Sequence, residues 1–146
     1  FSFRRKNYLH GRWIRRCGWW PDTVVRLVDR RRGRFSGDSV HERWLADGRV
    51  AALSDAIEHH SFRDYADMIT KLQHYSTLGA RQLADRGATV RWWQPITHGL
   101  WTFFQVFVLK FGFLCGLDGF IISLLNAGGS FMKYAKCWEI AHYGRG

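Results

Sequence analysis

The chain has 146 residues, 47% of them hydrophobic and 23% charged, with a formal net charge of +10. That is the length of one ordinary domain, able to bury a core and too apolar to be a disordered segment. Three cysteines, Cys17, Cys115 and Cys137, have no C-x-x-C spacing, which argues against a disulfide framework or a zinc site and fits a reducing compartment.

The charge is uneven. Residues 1–34 hold eleven of the 22 Lys and Arg but only two of the 12 acids, Asp22 and Asp29. That quarter calls for an anionic neighbour such as phosphate, nucleic acid or acidic lipid. Eight Trp and eleven Phe suit an interface or a membrane surface. A start at Phe1 with no signal-peptide pattern reads as a cut end.

In chain order, Phe1–Ile14 alternates between apolar and basic residues and predicts a strand, a turn near His10-Gly11 and a second short strand. Trp20-Pro21-Asp22 predicts a turn, and the β-branched run Thr23–Val28 a strand. The run Arg30-Arg31-Arg32-Gly33-Arg34 reads as a hairpin loop, either a solvated turn or a phosphate contact. Short strands are expected at 40–44, 49–53 and 56–60, with a hairpin at Asp47-Gly48. Ser61 reads as an N-cap, with Asp64 three residues on. The following helix is expected to run to Arg86 and stop at Gly87, with Phe62, Tyr65, Ile69, Leu72, Tyr75, Leu78 and Leu83 on one apolar face.

Pro95 opens an apolar tail. Helices are expected near 96–110 and 119–138, broken by Gly112, Gly116 and Gly119. The uncharged run from Trp92 to Leu109 is about the length a spanning helix needs, but it contains Gln, His, Pro and Thr. Helices lying in one leaflet, with Trp and Lys at the interface, are the favoured reading, and two true spans the other. The chain thus divides into residues 1–60 with strands, 61–90 with an amphipathic helix, and 91–146 as an apolar helical tail.

The groups able to do chemistry concentrate between Trp19 and Ser61: Asp22, Arg26, His41, Glu42, His59 and His60. Asp22 and Arg26 lie four apart on an extended segment and share a face. His41 and Glu42 are adjacent and on a regular strand point to opposite sides. Each has a structural alternative: a salt bridge for Arg26, pairing with Arg43 or Arg49 for Glu42, packing for His41, and a backbone bond near the helix start for His59.

The order of these residues carries a resemblance. Gly18-Trp19, Pro21-Asp22, Arg26-Leu27, then Val40-His41-Glu42, then Ile57, His59, Ser61-Phe62, and finally Gly112-Phe113-Leu114, Gly116 and Gly119 fall in one series. This series resembles the C-terminal half of family 2 glycosyltransferases, specifically the bacterial enzymes that add glucose or a similar sugar to the inner core of lipopolysaccharide or lipooligosaccharide. The resemblance implies an α+β fold, the C-terminal part of the mixed sheet called GT-A, followed by the amphipathic and membrane-associating helices. It implies sugar transfer with inversion from a UDP-sugar to a lipid-linked saccharide, beside an anionic membrane at the cytoplasmic face of the bacterial inner membrane. It implies Glu42 as catalytic base, His59 as a ligand of a divalent cation (Mn or Mg), and Asp22, Arg26 and His41 as substrate-binding residues. The family's Asp-x-Asp-type motif, which supplies the cation's main ligands, has no counterpart here, so the reading is of a fragment inactive by itself. Two other classes compete with this one: a basic nucleic-acid-binding module, disfavoured by the apolar tail and the lack of a binding motif, and a small non-catalytic integral membrane protein.

Overall fold

The computed structural model describes residues 1–36 and 44–144. The chain forms two compact units, Phe1–Arg63 and Asp64–Gly146, the first of short strands and the second of helices.

The first unit is a small sheet built on one strand. β1 (Ser2–Leu9) turns at His10-Gly11 into β2 (Arg12–Trp13). Both turn residues have positive φ, 51° and 72°, which matches the twist of a two-residue hairpin. β3 (Asp22–Val25) pairs antiparallel with the first half of β1, from Ser2 opposite Val25 to Arg5 opposite Asp22. β4 (Gly33–Phe35) and β5 (Trp44–Ala46) form a separate antiparallel pair. β6 (Ala52–Phe62) lies parallel to β1 along its other edge. β1 is therefore the middle of a mixed sheet, with Leu9, Ile14 and Cys17 buried in the unit's small core.

Several boundaries differ from expectation. β3 stops at Val25 rather than Val28, and Arg49 precedes the strand expected to begin with it. β6 runs unbroken in place of the two strands expected there. Its Ser54-Asp55 pair reads locally as a turn, but Arg4 Nη2 donates to the Ser54 carbonyl at 3.1 Å. A register shift between the Ser2 and Arg4 pairings absorbs the extra residues. Ser61 is not the helix cap. It belongs to β6, and its hydroxyl donates to Asn7 Oδ1 at 2.8 Å, satisfying a buried amide. The cap is Asp64, whose Oδ1 accepts the Asp67 backbone N–H at 2.8 Å.

In the second unit, α1 (Tyr65–Asp85) ends before Gly87, as its sequence predicts. α2 (Gln94–Phe104) starts with Pro95 in its first turn and continues as a π-helical turn, Gln105–Leu109. A 3₁₀ turn, Gly112–Cys115, leads into α3 (Gly116–Tyr143). The expected break falls at Gly116, which has a φ of 61° and opens α3, whereas α3 passes through Gly119 unbroken. A Cβ at Gly119 would overlap the Gly112 carbonyl and the Cys115 side chain, so this glycine permits a close approach rather than ending a helix.

α1 runs parallel to α3, and α2 antiparallel to it. Tyr65 donates to Asp118 Oδ1 at 2.6 Å, Leu72 lies over Gly128 and Gly129, and Ala80 and Cys137 share a buried cluster with Val90. On the α2 side, Phe103 and Phe107 meet Phe120, Gly99 sits against Ala127 and Phe131, and His98 stacks on Tyr134 at 3.8 Å. Ile122 is fully buried, a burial that contributes roughly 1.5–3 kcal/mol. The inward side of α1 keeps Tyr65, Leu72 and Leu83 of the expected face but adds buried Met68, Ser76 and Ala80, while Ile69 and Tyr75 are exposed. Small residues and Ser76 occupy the seam because Lys136 of α3 enters it. Its Nζ donates to Gln73 O and Oε1, Ser76 Oγ and Thr77 Oγ1 at 2.8–3.3 Å. The segment Gly112–Tyr143 is long and apolar enough to cross a membrane by length and composition.

Candidate functional site

Side chains alternate along β1. Phe3, Arg5, Asn7 and Leu9 project to one side of the sheet, and Arg4, Lys6 and Tyr8 to the other.

The first side carries a polar network. Asp22 sits opposite Arg5 in the β1–β3 register, and its Oδ2 accepts from Arg5 Nε at 2.9 Å and Nη2 at 2.7 Å. Asn7 Nδ2 donates to the same Oδ2 and to the Trp19 carbonyl, both at 3.0 Å. With the Ser61 hydroxyl on its Oδ1, Asn7 ties three segments together from a nearly buried position. His59 is the register partner of Asn7 on β6 and is half-buried. In-register neighbours share a face. Two of the residues singled out in the sequence, Asp22 and His59, thus flank Asn7 from opposite strands. Trp19 and Phe62 pack beside the network with ring centroids 5.5 Å apart.

The other side is cationic and aromatic. The Arg4 guanidinium lies over Trp20 at 5.4 Å, and Lys6 and Arg15 lie over Trp13 at 5.1 and 4.2 Å. Trp13 meets Trp20 edge-on, and Tyr8 stacks on His60 at 4.9 Å. Tyr8 donates its hydroxyl to Glu58 Oε1 at 3.3 Å. Lost solvation, then the Glu58 charge and this hydrogen bond, push the Tyr8 phenol above its ordinary value, so it stays a proton donor at neutral pH. The Trp13 indole N–H is buried with no protein acceptor. Against three cations this surface holds one carboxylate, Glu58, and stays positive. Positive charge over aromatic rings is complementary to anionic groups.

The remaining sequence-predicted residues are placed as follows. Arg26 follows β3, exposed, with its backbone N–H on the Phe1 carbonyl at 3.2 Å. His60 faces away from His59 and stacks on Tyr8. His41 and Glu42 lie outside the described residues. In the arginine run, Arg31 is held by Asp29 at 2.9 Å. Among the described residues no three His, Cys, Asp or Glu side chains form a group that could hold a metal ion. Asp22 Oδ2 is already taken by Arg5 and Asn7. The Asn7 network and the Arg4–Trp20 and Lys6–Trp13 stacks were missed in the sequence. The alternation of basic and aromatic residues in 1–14 was their only trace.

No protein-family model matches the chain, and no solved structure matches it. Curated proteins do. An uncharacterized glycosyltransferase of Rickettsia felis is 30% identical over 92 residues, covering 63% of this chain and 32% of that protein. A second, from Rickettsia conorii, is 29% identical over 92 residues, covering 63% and 33%. The lipopolysaccharide core biosynthesis glycosyltransferase LpsC of Rhizobium meliloti is 29% identical over 142 residues, covering 92% of this chain and 51% of that protein. The chain therefore resembles glycosyltransferases. More narrowly, it resembles one of lipopolysaccharide core biosynthesis, along nearly its whole length. It spans about a third to a half of the length of these relatives.

Proposed function

We propose that this chain is the acceptor-side portion of an inverting family 2 glycosyltransferase with a GT-A sheet. Its donor is a UDP-sugar, UDP-glucose first among them, and its acceptor a lipid-linked saccharide of the lipopolysaccharide-core type. The observation that carries this reading is the match to LpsC along 92% of the chain. In this reading Glu42 takes the proton of the acceptor hydroxyl as its oxygen attacks C1, and the nucleoside diphosphate leaves. His59 and Asp22 sit on one face of the sheet. Asp22 has its Oδ2 saturated by Arg5 and Asn7 and so fixes the sheet edge where the acceptor lies. Arg26 and His41 contact substrate. The Arg4, Lys6 and Arg15 surface meets phosphate groups of the acceptor or the membrane. A divalent cation would bring Lewis-acid stabilisation of the leaving diphosphate, with His59 as this chain's share of its ligands. The second unit holds the protein at the cytoplasmic face of the inner membrane, supported by the exposed apolar side chains of α2 and α3.

The test begins with the source DNA upstream of the Phe1 codon. An in-frame α/β half ending in an Asp-x-Asp-type motif is expected. In that protein, Glu42→Gln abolishes transfer from UDP-sugar to core-type acceptor, and His59→Ala weakens it and raises its dependence on added Mn²⁺. An unrelated upstream sequence, or full activity in Glu42→Gln, overturns the reading.

A further inference from the structure

The three helices of the second unit differ in what they turn outward. The outward positions of α1 are mostly polar, Thr70, Gln73, His74, Arg81 and Asp85, with Ile69 and Tyr75 the large apolar exceptions. Those of α2 are Trp93, Ile96, Leu100, Trp101 and Phe104, with Thr97 the polar exception. α3 exposes a second apolar stripe, Leu117, Phe120, Leu124 and Phe131, at helical spacing. Between these two helices the turn adds Leu109, Phe111, Phe113 and Leu114, all exposed. Leu100 is 67% exposed, Leu117 70% and Leu114 60%, a continuous apolar surface far beyond the scattered leucines of an ordinary exterior.

Charge marks where this surface stops. Arg91 and Trp92 stand at the start of α2, Lys110 at the turn, and Lys133, over the Tyr134 ring at 4.7 Å, beyond the α3 stripe. Aromatic rings and cations at the rim of an apolar face suit the headgroup level of an anionic bilayer.

α3 is long enough to cross, but it is not alone. From Asp118, bonded to Tyr65, to Lys136, bonded to Gln73, Ser76 and Thr77, α1 accompanies it over about 27 Å of rise. A crossing α3 would carry the outward Thr70, Gln73 and His74 of α1 and its partly exposed Asp67–Lys71 ion pair through the hydrocarbon, where polar and ionised side chains facing lipid are costly.

We propose that the second unit docks on an anionic bilayer through the outer side of α2, the turn after it and the Leu117–Phe131 stripe of α3. It enters one leaflet and leaves α1 in water, and α3 does not cross. This rests on the membrane-associated reading above and adds which surface meets lipid and how.

Flotation of the chain with vesicles of phosphatidylethanolamine and phosphatidylglycerol reads the surface. Leu100→Arg lowers the bound fraction at least about tenfold. Ile69→Arg, at an exposed apolar position on α1, leaves it unchanged. Circular dichroism confirms that each variant keeps its helices, and Trp101→Gln replaces Leu100→Arg if that variant loses them. Sidedness is read with Lys110→Cys in a Cys115→Ser background, using a membrane-impermeant maleimide on spheroplasts and inverted vesicles from expressing cells, with Thr70→Cys as the marker for α1. Cys17 and Cys137 are buried, and burial pushes the Cys137 thiol up, so both stay silent. Labelling of the Lys110→Cys variant from the α1 side, or from neither, supports the proposal. Labelling from the opposite side shows a crossing hairpin and overturns it, as does release by Ile69→Arg equal to that by Leu100→Arg. A parent chain that never floats removes the membrane-associated reading itself, a result distinct from both.

Discussion

In the first unit the fully buried apolar side chains are few, Leu9, Ile14 and Cys17, and the contacts that fix the sheet are directional. Asn7 reaches Trp19, Asp22 and Ser61, Arg5 reaches Asp22, and three cations lie on two indoles. In the second unit the interior is closely approached helix, with Gly119 against Gly112, Gly99 against Phe131 and Ile122 fully enclosed, and large apolar side chains stand outside. Directional bonds hold chosen atoms at chosen places, which a binding face needs. Area-driven packing holds a shape and leaves its exterior free to match a non-polar medium.

Four changes break or sharpen this contrast. The largest effect is expected from Gly119→Val, which forces a side chain into the Gly112 carbonyl and Cys115. It should cost the second unit about 3 kcal/mol or more in urea unfolding followed by circular dichroism. Asn7→Ala strikes the first unit, removing its bonds to the Trp19 carbonyl, Asp22 and Ser61, and should cost about 2 kcal/mol. Asn7→Asp keeps the size but sets a second carboxylate against Asp22. It should be worse than alanine at neutral pH and recover toward it in acid, a pattern that no substitution in the apolar seam of the second unit should show. Asp64→Ala removes the α1 cap and should cost about 1 kcal/mol, visible as earlier fraying of Tyr65–Met68 by hydrogen exchange.

The smallest effect is at Asp29. The Arg31 side chain, then the Arg31 backbone N–H, hold its carboxyl below the usual value. A folded-state value below the unfolded one adds stability above the unfolded value and loses it as pH falls through the folded one. Asp29→Asn should therefore lose a little stability at neutral pH, converge with the parent in strong acid, and so flatten the acid side of the stability profile.

What was legible in the sequence was local. The His10-Gly11 turn, the stop before Gly87 and the break at Pro95 each depend on a residue's own backbone preference. The course of β6 was not legible, because its partner β1 lies about fifty residues away and nothing in Ser54-Asp55 announces it. The cap was misplaced because Ser61 has two uses, and a buried acceptor elsewhere in the sheet decides between them. Likewise Gly119 reads as a breaker in one dimension and turns out to be a contact point in three. For the site, composition marked 1–34 as strongly basic, while the sharing of one face by Asp22 and His59 needed the register on both edges of β1.

The parallel placement of β6 beside β1 has a consequence during synthesis. β1, β2 and β3 are complete once Val25 has left the ribosome, but the second edge of β1 stays open until Phe62 follows, about 2–7 seconds later at ordinary ribosomal rates. For that interval the nascent strand offers a row of unsatisfied amides and carbonyls to any neighbouring chain on the polysome. Arg4, Arg5 and Lys6 occupy the middle of that strand. Besides any part in binding, their mutual repulsion between copies keeps two growing chains from pairing before their own last strand arrives.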